Sequence, residues 1–169
     1  WYSTSVDFQD LKDAYDLTGK NTTWSVGGPN DLTLQFHDNP YFQRYNNYNT
    51  LDRDRFFGNF ALNTQITDWF DITGKGAVDT YSQLQEERIA VGSKRTPNAL
   101  GQYTRFDKTF REINFDLIMN FKTNITDGIK FNGMLGANSR RSVSKSIFAA
   151  TNGGLVVPGI YALSNSIDK

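Results

Sequence analysis

From Phe56 to Ile66 the chain places Phe56, Gly58, Phe60, Leu62, Thr64 and Ile66 at one parity, and Phe57, Asn59, Ala61, Asn63 and Gln65 at the other. From Arg111 to Asn124 it does so again, with Ile113, Phe115, Leu117, Met119 and Phe121 set against Glu112, Asn114, Asp116, Ile118, Asn120 and Lys122. Successive side chains of a strand point to opposite faces, so each run makes one apolar and one wet surface. Each is followed by a return segment of the same kind. Phe70, Ile72, Val78 and the glycines at 74 and 76 oppose Asp71, Thr73, Lys75 and Asp79; Ile129, Phe131, Leu135 and Ala137 oppose Lys130, Asn132, Asn138 and Arg140. The stretches Thr64–Gly74 and Thr123–Gly133 also resemble each other, with Ile-Thr-Asp at equivalent places. The pattern predicts two hairpins with tight turns at Thr67-Asp68-Trp69 and Thr126-Asp127-Gly128.

Two architectures use this alternation. A half-buried antiparallel sheet of a soluble β-sandwich is one; a transmembrane β-barrel is the other. Runs of roughly ten residues or more exceed the ordinary globular strand and reach what a tilted strand needs to cross a bilayer. Aromatics make up 14% of the chain while hydrophobic residues reach only 38%, which suits a thin apolar band with aromatic girdles better than a solid core. The expected fold is therefore all-β: an antiparallel transmembrane β-barrel segment of about four strands in two hairpins, with long extracellular loops. Four strands cannot close a transmembrane barrel, whose smallest forms have about eight, and open edges are not tolerated in lipid. Together with a start at Trp1 rather than Met, this leads us to expect a piece of a longer chain.

The chain divides into zones. Residues 1–54 are expected to be an extracellular loop region with one short helix, capped by Asp7, carrying Phe8, Leu11 and Tyr15 on one face and ended by Gly19. A turn is expected at Gly27-Gly28-Pro29-Asn30. Hairpin one occupies 55–84, a polar extracellular loop 85–109, hairpin two 110–145, and a Gly/Asn/Ser-rich extracellular loop 146–169. Short turns at one end of the strands and long loops at the other match the periplasmic and extracellular sides of an outer-membrane barrel.

Charge and side-chain inventory narrow the function. Eighteen basic residues balance 18 acidic ones, so there is no overall pull toward nucleic acid. The absence of cysteine removes disulfides and thiolate metal sites. His37 is the only histidine, which leaves no basis for a His-based triad or a multi-His metal site; no catalytic residue, metal or cofactor is expected. Asp52-Arg53-Asp54-Arg55 and Glu86-Glu87-Arg88 are read as charged strand mouths whose members pair with one another. Arg140, Arg141 and Lys145 make a basic patch near the outer end of a strand. Parity assigns Phe60, Leu62, Ile113, Phe115, Leu117, Met119 and Phe131 to lipid and Asn59, Asn63, Asp79, Asn114, Asp116 and Asn132 to the lumen. Tyr41, Phe42, Tyr45 and Tyr48, interleaved with Arg44 and asparagines, are suited to stacking on sugar rings or to seating a partner. In the last loop, Leu155, Val156, Val157, Ile160, Tyr161 and Leu163 form an apolar group, of which Val157 and Tyr161 are the candidate rim contacts.

Several motifs carry a family resemblance. Asn39-Pro40-Tyr41-Phe42, then Arg53-Asp54-Arg55-Phe56-Phe57-Gly58-Asn59, Ile66-Thr67-Asp68-Trp69, Glu86-Glu87-Arg88-Ile89-Ala90 and above all the run from Thr151 to Ser166, TNGGLVVPGIYALSNS, resemble the SusC/RagA family of TonB-dependent outer-membrane transporters. The resemblance runs from about Asn39 to the end. It implies a 22-stranded barrel with a plugged lumen, in the outer membrane of a Gram-negative bacterium. It implies import of large nutrients, oligosaccharides or peptides, with energy supplied through TonB and a SusD-like surface lipoprotein as lid. The plug and the segment that meets TonB have no counterpart in these residues. Partners implied are thus the lipoprotein, TonB through the plug, a glycan or peptide substrate and outer-membrane lipid, with no nucleic acid. A soluble carbohydrate-binding β-sandwich module is the alternative; a hydrolase ranks below both, since no carboxylate pair or nucleophile stands at catalytic spacing.

Overall fold

A computed structural model describes residues 4–168. The chain is mostly β, with few helices, and no described helix is long and apolar enough to cross a membrane. Two compact units are formed. One contains the residues up to Asp52, Leu84–Asp107 and the residues from Ile147; the other contains Arg53–Gln83 and Lys108–Ser146.

Four long strands, β3 (Tyr48–Thr67), β4 (Phe70–Ile89), β5 (Gln102–Thr126) and β6 (Ile129–Ala150), are hydrogen-bonded in chain order as an antiparallel meander, and their turn-side lengths, Arg53–Gln83 and Lys108–Ser146, make the second unit. Asp68-Trp69 and Asp127-Gly128 form two-residue turns between them, as the sequence predicts. Residues of one parity lie exposed and apolar: Phe60 is 64% exposed, Leu62 67%, Phe115 54% and Phe131 48%. Phe56, Phe60, Val78, Ile113 and Phe115 border one shallow recess over Gly76, and the Phe60 ring lies directly on that glycine, where a Cβ would collide with it. The opposite parity carries a hydrogen-bonded polar surface. No second layer within this unit covers the apolar face.

At 20, 20, 25 and 22 residues the strands outrun the expected limits at the ends away from the tight turns. β3 begins at 48 rather than 55, β4 continues to 89 rather than 84, β5 begins at 102 rather than 110, and β6 ends at 150 rather than 145. The expected 85–109 loop therefore shrinks to residues 90–101, with a short 3-10 turn at Pro97–Ala99. These extensions are too polar to alternate visibly, and specific side-chain bonds hold them instead.

In the first unit, α1 (Phe8–Thr18) forms as expected: the Asp7 carboxylate accepts from the Gln9 amide, and Gly19 closes the helix in the left-handed region at φ 62°. Leu11 is its buried residue. A small hairpin follows, β1 (Val26–Gly28) and β2 (Asp31–Leu34). Its turn is Pro29-Asn30 alone, because Gly27 and Gly28 already belong to β1. Residues 40–46, expected as loop, form the helix α2 (Pro40–Asn46). Asn39 caps it by accepting from the amides of Tyr41 and Phe42, with Pro40 in the first turn, where its missing N–H costs nothing. The final segment is an extended arm, β7 (Asn152–Leu155) paired with β8 (Ser166–Asp168).

Candidate functional site

Two constellations bear on function, one in each unit. On the polar face of the long sheet, side chains link every neighbouring pair of strands. Arg55 grips Asp79 with two bonds of 2.9 and 2.7 Å, and Asn63 donates to Thr73 at 2.6 Å, joining β3 to β4. Asn120 donates to Asp71 at 2.8 Å, joining β4 to β5. Asn138 donates to Asn114 at 2.9 Å and to Asp116 at 2.6 Å, and Arg140 to Glu112 at 2.7 Å, joining β5 to β6. Of the residues assigned to the lumen, Asn63, Asp79, Asn114 and Asp116 are thus each bonded to a neighbouring strand, in separate groups on this face. Asn59 is exposed on β3. Asn132 lies apart from these groups, beside a recess with Asp68, Trp69, Lys122 and Lys130.

Tyr81 stands on the same face of β4. Its ring stacks on Phe110 at 5.1 Å, and the Arg53 guanidinium and Lys108 ammonium lie over it at 5.0 and 5.8 Å from its centre. Parity marks all four positions as polar-face, but nothing in the sequence says that they meet. Arg53 and Arg55 were expected to pair within their own DRDR run. Alternation forbids it, because neighbours in a strand point to opposite faces. Their partners are instead one strand away, Gln83 for Arg53 and Asp79 for Arg55. Arg88 and Glu86 share a parity and do pair, at 2.6 Å, while Glu87 turns to Arg95 at 2.9 Å. Of the basic patch, Arg140 is neutralised by Glu112.

At the tight-turn end of the sheet, Phe70 and Phe121 stack at 4.9 Å and Trp69 lies 5.7 Å from Phe70. The Trp69 carbonyl accepts from the Lys122 amide at 2.8 Å. An aromatic cluster thus gathers at this end of the sheet.

In the first unit, Glu86 accepts from the Tyr103 phenol, from Arg88 and, at 3.4 Å, from Thr50. Arg88 lies under the Tyr48 ring at 5.0 Å, and Tyr161 meets the Tyr48 ring edge-on at 6.4 Å. The phenol bond, and after it the Arg88 charge, hold the Glu86 carboxyl below its usual range despite partial burial. Burial first and Glu86 second push the Tyr103 phenol up, and burial pushes Tyr161 up. Every strong acceptor of Glu86 is occupied, so the group braces the strand extensions and has no free base to offer.

The candidate rim contacts separate. Tyr48 and Tyr161 meet; Tyr45 stacks at 5.7 Å on Tyr15 and stays 61% exposed; Tyr41 is half-buried. Phe42 is only 5% exposed, packed edge-on against Tyr15, and so is no surface contact. Forming α2 explains this: a helix sends Phe42 inward toward α1, where a loop would have left it free. Leu155 likewise leaves the apolar group, at 3% exposure, with its amide bonded to the Leu100 carbonyl. Val156, Val157, Ile160 and Leu163 remain exposed. His37 is exposed and stacks on Trp24 at 5.3 Å. Among the described residues no three metal-ligating side chains gather.

Missed by the sequence reading was a buried polar knot. Asp38 accepts from Ser93 at 2.5 Å, from the Lys94 amide at 2.8 Å and from Asn21 at 2.7 Å. Asn47 donates to Ser93 and accepts from the Ala90 amide. Asn39, wholly buried, donates to the Leu11 and Thr22 carbonyls at 2.7 Å each. The Asn39-Pro40 pair was the available signal, as a cap followed by a first-turn proline.

Compared with known proteins, the chain matches no family model and no curated protein.

Proposed function

We propose that this chain is a wall segment of a SusC-like, TonB-dependent importer of large nutrients in a bacterial outer membrane, working with a SusD-like lipoprotein lid. The observation that carries the reading is the two-faced long sheet: an exposed apolar surface backed by a hydrogen-bonded polar one, on strands of 20 to 25 residues. An apolar face of that extent is costly in water, at about 25 cal/mol for each Å² left uncovered, and is at rest against lipid tails. The polar face suits a wet lumen, where its amides, carboxylates and cations stay solvated. The two-residue turns and the Trp69–Phe70–Phe121 cluster support a periplasmic end at the headgroup level. On this reading the residues of hairpins 55–84 and 110–145 cross the bilayer, and open edges β3 and β6 pair with further strands of the closed barrel. A β-sandwich module would need a second sheet to cover Phe60, Leu62, Phe115 and Leu117.

Single cysteines in the complete protein, labelled in native membranes, test the reading. Asn63→Cys and Asn114→Cys should react with a water-soluble maleimide, and Phe60→Cys and Leu117→Cys only with a lipid-soluble one. Equal reaction of all four with the water-soluble reagent, on protein purified without detergent, would sink the barrel and favour the sandwich.

A further inference from the structure

Among the cations on the polar face, Arg55 and Arg140 are neutralised by carboxylates. Arg53 is not. It directs two N–H groups to Gln83, a neutral amide occupying the place across from it where a carboxylate would have cancelled its charge. Its guanidinium carbon lies over the Tyr81 ring, 5.0 Å from the ring centre. Lys108, from the strand on the other side of β4, reaches the same ring at 5.8 Å. Neither cation belongs to an ion pair among the described residues. Three adjacent strands thus converge two uncompensated positive charges on one aromatic plate, backed by Phe110 at 5.1 Å. The ring quadrupole attracts each cation but supplies no full counter-charge to either. A carboxylate beside them would supply the missing counter-charge and take the guanidinium N–H groups that Gln83 leaves free.

We propose that Arg53, Tyr81 and Lys108 form a subsite for the carboxylate of an acidic sugar unit, which makes the solute of this wall a uronic-acid-bearing oligosaccharide rather than a neutral one. The inference rests on the wall reading, since it needs this face to be wet. The half-buried Tyr81 ring and the Gln83 amide offer the apolar contact and the hydroxyl partner that a sugar ring takes, features that a bare anion site does not require.

The test is titration calorimetry on the complete detergent-purified protein, with trigalacturonate as probe, maltotriose as the neutral control and triglutamate as the acidic peptide. Trigalacturonate should bind and weaken as salt is raised, while maltotriose should bind far more weakly. Arg53→Gln and Lys108→Gln should each weaken trigalacturonate roughly tenfold, the worth of one charge-assisted hydrogen bond. Arg53→Lys and Lys108→Arg should keep most of the affinity, which separates lost charge from lost folding. Equal affinity for maltotriose, or unchanged trigalacturonate affinity in both glutamine variants, overturns the subsite. Tighter binding of triglutamate with the same charge dependence overturns the sugar assignment. Labelling of Tyr81→Cys tells the two levels apart. If a water-soluble maleimide reaches it and trigalacturonate does not bind, the subsite alone falls; if only a lipid-soluble reagent reaches it, the wall reading falls with it.

Discussion

Asn39 shows how much one side chain carries in the first unit. It has no exposed surface, caps α2 through its oxygen and ties Leu11 and Thr22 through its nitrogen, while its own amide donates to Asn21 at 2.7 Å. Replacing it by alanine removes the cap and both bonds to the Leu11 and Thr22 carbonyls. We expect Asn39→Ala to cost about 2–4 kcal/mol in that unit, read as earlier proteolysis of the α1–α2 segment. Asn39→Asp, which keeps the cap oxygen and loses the donors, should cost much of the same; a harmless Asp variant would reduce Asn39 to a cap. Glu86 makes a prediction about pH. Its folded carboxyl lies below its ordinary value of 4.5 because Tyr103 and Arg88 stabilise the anion. A depressed folded pKa means that its stabilisation is fully present above the unfolded value and fades as pH falls below about 4.5 through the lowered folded one. Glu86→Gln should therefore lower stability at neutral pH and flatten the acid limb of its pH dependence, measured by thermal melting between neutral pH and pH 3. An unchanged acid limb would show that the contact stores nothing.

At the scale of the element, parity decides the outcome of a substitution. Leu117 and Asn120 lie on opposite faces of β5, Asn120 bonded to Asp71 and Leu117 on the exposed apolar side. A charge on the lipid face near the bilayer midplane costs about 2–4 kcal/mol and far less on the lumen face. On the proposed wall reading, Leu117→Arg should thus lower outer-membrane assembly yield more than Asn120→Arg; the reverse order would exchange the two faces. This periodicity was legible from residues 56–66 and 111–124 because apolar and polar side chains alternate there almost without exception. The strand ends were not legible, since Thr50, Glu86, Arg88 and Tyr103 hold the extensions through hydrogen bonds between strands, and pairing at long sequence separation leaves no local period. The α2 helix hid for a related reason: seven residues are too few to show a helical stripe, and only its cap announces it. Nor could the Tyr81 plate be read, because its cations come from β3 and β5 and become neighbours only once the register is set.

For the molecule as a whole, the exposed apolar residues of the last segment pose the question of a partner. Val157 is 46% exposed, with its amide held by Asn165 at 3.0 Å, whereas Tyr161 is tucked against Tyr48. The lid reading then makes unequal demands on the two positions. A photo-crosslinking amino acid at Val157 should capture the surface lipoprotein, and one at Tyr161 should link mainly within the transporter. Capture of the lipoprotein from neither site, with internal links from both, would assign this segment to loop-on-loop packing.

The knot around Asp38 has a consequence in time. Its bond to Ser93 joins residues 55 apart, and the Asn21 bond to the Gly92 carbonyl joins residues 71 apart. Between these ends lie the whole of β3 and the whole of β4. Closing so long a loop before the hairpin exists is entropically unfavourable, and zipping the hairpin first shortens the gap. The α1–α2 segment is therefore made before its anchor and finished after it: α1 and α2 wait until β4 is complete and the chain has returned to residue 93. A chain stalled just after Thr67 should leave them open to protease, and one extended past Arg95 should protect them.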